Sequence, residues 1–265
     1  MNYEKLAVDA VADAIAITDY LDPYVTENDK GPSWDGKFTV YSKPGNQHKK
    51  SDWLGEVPVQ VKSVQKTDMS QDEIKYPVEI SDLKNYLRIG GTMYFVVYIT
   101  PMALKKIYYC SFLPFDLQKI LKQSGKQKTK SLPFRPFPTS KNDITNIIVD
   151  CLRDMEKQSL LKNKDYGMDD AVKEFDISKL HYSMTFSGIG FTKANIPEQL
   201  LNRDVYFYAQ SDSGSITFPV KHMTAAKIIV EELAMTVGAG NVDYYDKYPV
   251  SYTHLRAHET LRHLV

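Results

Sequence analysis

The 265-residue sequence predicts an α/β fold, α+β over its full length: a mixed central sheet flanked by helices, then a smaller α+β domain. Three observations carry this. Residues 1–141 alternate helical and strand periodicity in the order α, β, β, α, β, β, which packs as helices against a sheet. TMYFVVYIT, from Thr92 to Thr100, is apolar almost throughout, as a strand covered on both faces is. The second half changes character, to short strands separated by turn residues and followed by one helix.

The first helix is expected from Tyr3 to about Tyr20. Val8, Val11 and Ile15 line one stripe, Leu6, Ala10, Ala14 and Ile17 widen it, and Asp22-Pro23 closes the segment. Glu4 sits one turn before that stripe. It suits a carboxylate near a helix N-terminus, or one aimed at a site. WDGKFTVY and VPVQVKSVQ read as strands joined by the Lys-, Gly- and Pro-rich connection from Ser42 to Gly55, an antiparallel pair with a long loop. Ser81-Asp82-Leu83 starts a short helix that stops at Gly90-Gly91. TMYFVVYIT and KKIYYCSFL form a hairpin, and a helix spans Phe115 to Gln123. GKQKTKSLPFRPFPTSK then follows as a basic, proline-punctuated stretch. An amphipathic helix from Asp143 to about Leu161 leaves this unit, and KNKDYGMDD reads as a linker. Beyond it LHYSMTF, VYFYAQ and ITFPV are expected strands, SDSGS a turn and MTAAKIIVEELAM a helix.

Composition bounds the function. Hydrophobic residues make up 43% and charged residues 25%, an ordinary globular balance, and the formal net charge is zero, so no global field favours nucleic acid. The distribution is uneven. Met1 to Gly36 holds two basic residues against eight acidic ones, whereas Thr100 to Lys141 holds nine basic residues opposed only by Asp116. Cys110 and Cys151 are the only cysteines and form no CxxC pair, which excludes a disulfide framework or zinc ribbon and suits a reducing cytosol. The longest apolar run, Met93 to Ile99, is far too short to span a bilayer, and no N-terminal apolar h-region is present. A soluble cytoplasmic protein with no membrane partner is expected.

The chemistry-bearing stretch is VPVQVKSVQ. Val57, Val59 and Val61 alternate onto one strand face, so Gln60 and Lys62 share the other. Asp35 opens the preceding strand, and an antiparallel pair brings it to that same face. A carboxylate and an amide carbonyl are hard oxygen donors suited to magnesium, and a neighbouring ammonium can orient the attacking water. The same residues also suit plain structural roles. Asp35-Gly36 is a common turn dipeptide, and Lys62 can extend its ammonium from an edge strand into water. Glu56 lies on the same face two pairs upstream. Serine nucleophile elbows, a P-loop and GxGxxG are absent; Ser187-Gly188-Ile189-Gly190 lacks the third glycine.

The order of an N-terminal helix with Glu4, a strand with Asp35, a strand with Gln60-x-Lys62 between valines, then a helix and a central strand resembles the restriction-endonuclease-like PD-(D/E)XK superfamily. The resemblance is closest to its Mrr-like and Holliday-junction-resolvase-like branch, and more narrowly to an uncharacterised bacterial domain of that superfamily. It covers roughly residues 1–141. It implies a restriction-endonuclease-like core in which Asp35 and Gln60 bind magnesium with Glu4 alongside, and Lys62 is the catalytic lysine acting with Asp35 and Gln60. The implied activity is magnesium-dependent hydrolysis of DNA in bacterial defence or DNA processing. The chain departs from the pattern in offering a single acid at Trp34-Asp35-Gly36 and a neutral Gln60, which weakens magnesium binding. A catalytically inactive nucleic-acid-binding module and a protein-interaction module are the alternatives, and a homodimer or a defence-system partner protein is a further expected association. Lys122, Lys126, Lys128 and Lys130, with Lys49 and Lys50 in the loop between the site strands, supply the cations that phosphate contacts use; a solvated lysine loop is the plainer reading.

These assignments divide the chain into a nuclease-like domain (1–141), a connecting helix (142–164), a small α+β domain (165–249) and a tail (250–265). The tail, VSYTHLRAHETLRHLV, resembles the translation of a sequencing adapter and is expected to be a scar on a truncated gene. His258-Glu259 with His263 has one residue too many for HExxH, so its histidines carry no metal site.

Overall fold

The structure, a computed structural model, describes residues 1–27, 33–45, 47–162, 181–184, 188–192, 195, 199, 203–210 and 217–223, together with the backbone of 234–239 and 242–247. Helix α1 (Tyr3–Ala16) is capped by Asn2, whose Oδ1 accepts the Lys5 amide at 3.1 Å. Ala7, Val8, Ala10, Val11 and Ile15 are its buried stripe. The helix ends at Ala16, earlier than the sequence suggests, because the chain turns there into strand β1 (Leu21–Val25). Pro23 hides β1 in the sequence. The strand lies at the sheet edge and pairs only with its neighbour, where a residue without an N–H is tolerated.

Seven strands form one sheet in the order β1-β2-β3-β5-β6-β7-β4. β2 (Gly36–Tyr41) and β3 (Trp53–Gln65) are the antiparallel pair the sequence predicts. β3 then runs parallel to β5 (Thr92–Ile99), and β6 (Lys105–Phe112) is antiparallel to β5. The mixed central sheet is therefore present. β4 (Ile74–Glu79) and β7 (Thr129–Pro136) close the far edge, so the basic, proline-punctuated segment contains a strand that its sequence did not reveal. β7 touches β6 only through Tyr108↔Pro136 and Tyr109↔Arg135, which leaves most of that side without a ladder for proline to interrupt.

Two apolar layers cover the sheet. On one face Val57, Val59, Val61, Met93, Phe95 and Val97 pack with α1 and with α4 (Lys141–Lys157), through Ile144, Ile147, Ile148 and Met155. On the other, Tyr94, Val96 and Tyr98 lie with α2 (Ile80–Ile89) and α3 (Pro114–Ser124), through Leu83, Tyr86 and Leu117. Each such fully buried side chain contributes about 1.5–3 kcal/mol relative to exposure. α4 is thus a layer of the sheet unit rather than a connector leaving it.

Clustering of the backbone divides the chain into one unit of residues 1–191 with 206–222, and another of 192–205 with 223–265. The expected strands of the second half appear as β8 (His181–Ser183), β9 (Val205–Gln210) and β10 (Thr217–Met223), in the order β10-β9-β8. Tyr206 and Tyr208 of β9 belong to the same core as α4. The second unit contains a hairpin of β11 (Ala234–Ala239) and β12 (Val242–Lys247). The SDSGS turn, residues 163–170 of the linker, most of the MTAAKIIVEELAM helix and the 250–265 tail lie outside the described residues. Among the described residues no helix is long and apolar enough to cross a membrane.

Candidate functional site

The site starts where the β2–β3 ladder stops. The last pair is Gly36↔Val59, and the Asp35 amide still bonds the Val59 carbonyl at 2.8 Å. Val61 is the next β3 residue whose N–H points to that edge. Asp35 Oδ2 accepts it at 2.8 Å, taking the place of a strand carbonyl. An unpaired amide here would cost about as much as a lost hydrogen bond, so the strand end itself draws the carboxylate onto β3. Gly36 makes this turn possible: its φ is 154°, and a Cβ there would overlap the Tyr24 carbonyl of β1.

Gln60 completes the pair, its Nε2 donating to Asp35 Oδ2 at 2.5 Å. Gln60 is 3% exposed. Lys62, two residues on along the same face, is exposed to solvent. Burial pushes the Asp35 carboxyl above its ordinary range. The Val61 amide, the Lys62 ammonium and the Gln60 amide oppose that rise, and the negative charge of Glu4 adds to it. Three of the residues expected from the sequence therefore act on the carboxylate of the fourth, Asp35. Glu4 is itself exposed in the first turn of α1. Glu56 shares the face, but Lys37 holds it at 2.7 Å.

The side-chain atoms here that suit a cation are oxygens: those of the Asp35 carboxylate, the Gln60 amide carbonyl and the Glu4 carboxylate. Among the described residues no group of three or more His, Cys, Asp or Glu side chains is placed to hold a metal. This set fits a hard ion that keeps several waters, as magnesium does, and does not fit a zinc site with nitrogen and sulfur ligands.

Helix α2 approaches the Asp35 side of the site, through residues the sequence reading missed. Ser33 Oγ donates to Asp82 Oδ1 at 2.8 Å, and Asn85 Nδ2 donates to Ser33 Oγ at 2.8 Å. The expected Ser81-Asp82 cap is not formed. Glu79 is the N-cap residue without a side-chain capping bond, and the Ser81 hydroxyl turns to Glu79 Oε2. Asp82 was legible only as an acid in a first helical turn, and nothing in the sequence pairs it with Ser33.

The basic residues do not form one group. Lys126 and Lys128 are exposed and Lys130 half-buried where the chain enters β7, and the Lys128 carbonyl accepts the Ile80 amide at the start of α2. Asp82, in the same first turn of α2, holds Ser33, so these lysines sit at the site end of that helix. Lys122 is exposed in the last turn of α3. Lys49 and Lys50 open the turn into Trp53, at the other end of the β2–β3 ladder from Gln60. At about 3.3 Å per residue the seven steps from Trp53 to Gln60 span roughly 23 Å. That length keeps the loop away from the Asp35 end of the ladder.

A scan against protein-family models finds no match, and searches of curated proteins and of solved structures find none either.

Proposed function

We propose that this chain is a magnesium-dependent, PD-(D/E)XK-type nuclease-like protein that hydrolyses DNA phosphodiesters, serving bacterial defence or DNA processing. The observation that carries the reading is the Gln60 hydrogen bond to the Asp35 carboxyl at the end of the β2–β3 ladder, with the charges of Lys62 and Glu4 felt at that carboxyl. Asp35, Gln60 and Glu4 would hold the ion, and when bound it supplies a Lewis acid for the phosphate and an acidified water. Lys62 donates from the solvent side, where it orients the attacking water and offsets charge developing on the phosphate oxygens. Val61 and Gln60 keep the carboxylate fixed through the reaction, so its orientation is settled before substrate arrives. The exposed Lys126 and Lys128 give the DNA backbone a sequence-independent foothold.

The test is a plasmid-nicking assay with purified protein and magnesium. Wild-type protein nicks, chelator stops it, and Lys62→Ala lowers the rate at least about 100-fold with an unchanged circular dichroism spectrum. A Lys62→Ala protein as active as wild type retires the assignment. One observation favours a non-cleaving DNA-binding module instead: Asp35 Oδ2 is already shared by Val61 and Gln60, which leaves one carboxylate oxygen for an ion. Binding that survives chelator, falls steeply with salt and accompanies no cleavage would select that module.

A further inference from the structure

Resting on the nuclease reading, we propose that Ser33, Asp82 and Asn85 form a positioning latch through which α2 fixes the Asp35 carboxylate for metal and substrate. Ser33 has φ 76°, a left-handed backbone that a serine adopts only when its surroundings hold it there. The surroundings are the two 2.8 Å bonds from α2, contacts 49 and 52 residues distant in sequence. The Ser33 hydroxyl gives its one proton to Asp82 and accepts from Asn85, so the two partners fill different roles and neither substitutes for the other. Arg88 extends the chain outward, its guanidinium donating to Asn85 Oδ1 at 3.4 Å.

One residue, Trp34, separates this latch from the carboxylate. Ser33 sets where the chain enters the site, and Gly36 sets where it leaves to join β2. Between these two pins Asp35 meets the Val61 amide with little backbone freedom. Losing the latch loosens the turn before Asp35, whose own amide and carbonyl stay bonded to Val59 and Thr26. The carboxylate then samples positions away from β3, while the sheet, whose ladder begins at Gly36, stays paired. The loss is one of orientation, and catalysis punishes small misplacements of a ligand heavily.

The Val61 amide reads this directly, because its partner is the Asp35 side chain. In Asn85→Ala and in Ser33→Gly the Val61 amide should exchange with solvent at least about fivefold faster than in wild type. Its proton resonance should also move toward the position found in Asp35→Ala. Asp82→Ala should behave likewise, and Asp82→Asn, which keeps an acceptor oxygen, should stay close to wild type. Ser33→Gly separates the hydroxyl from the backbone, since glycine accepts the left-handed conformation freely but makes no bond to α2. In the same variants kcat for nicking should fall about tenfold with KM unchanged, the mark of an oriented rather than a binding group. A Val61 amide that is unmoved in both Ser33→Gly and Asn85→Ala overturns the latch. If the Val61 response appears and wild-type protein cuts no DNA, the nuclease reading fails and the latch stands.

Discussion

Gln60 decides what kind of site this is. Its amide donates to the neighbouring carboxylate, which a glutamate at the same position could do only while protonated. Gln60→Glu puts two acids against one another in a half-buried place, where like charges disfavour joint ionisation. Without divalent ions the variant should melt several degrees below wild type. With millimolar magnesium it should gain more in melting temperature than wild type does, because a ligand that binds only the folded state stabilises it according to its affinity. Differential scanning fluorimetry with and without magnesium checks both halves. A variant whose melting point ignores magnesium would remove Gln60 from any cation site.

Among the elements, α4 departs furthest from its expected role. Its apolar side forms a layer on the sheet, and its last turns carry buried charge. Asp154 is 4% exposed and accepts the Tyr208 hydroxyl at 2.9 Å. Gln158, fully buried, donates to that same Tyr208 oxygen at 3.2 Å and accepts the Phe115 amide at 3.0 Å. Burial pushes the Asp154 carboxyl up to about 6, opposed by Arg153 and the Tyr208 bond and aided by Asp150. A carboxyl raised above its unfolded value of 3.8 contributes stability that is fully present below that value and disappears as pH rises through about 6. Wild-type protein should therefore lose on the order of 2 kcal/mol relative to Asp154→Asn between pH 4 and pH 7. Urea unfolding of both proteins at the two pH values measures it, and parallel pH profiles would show that Asp154 titrates normally.

For the molecule as a whole, charge placement separates surfaces that look alike in sequence. Lys126 and Lys128 lie at the end of α2 that reaches Ser33, whereas Lys49 and Lys50 lie a strand's length from Gln60. Replacing Lys126 and Lys128 by alanine should weaken DNA binding for every sequence and reduce the salt slope by about two phosphate contacts. The Lys49/Lys50 double alanine variant should bind as wild type does. Fluorescence anisotropy over a salt series distinguishes them, and the opposite ranking would move the DNA to the far end of β3.

Sequence alone determined what depends on local periodicity. The valine alternation of β3 places Gln60 and Lys62 on one face whatever the neighbours are, and the apolar run of β5 demands cover on both sides. Asp35 opposite Gln60 followed from antiparallel pairing of two recognisable strands. Pairing at the sheet edges was not legible, because β1, β4 and β7 contain prolines that forbid a central strand and are harmless where one side makes no ladder. Nor was the Ser33–Asp82–Asn85 contact, which joins residues about fifty positions apart through side chains common in any loop or helix. Only the tertiary structure decided these, since long-range contacts are fixed by how the layers pack and no local pattern encodes them.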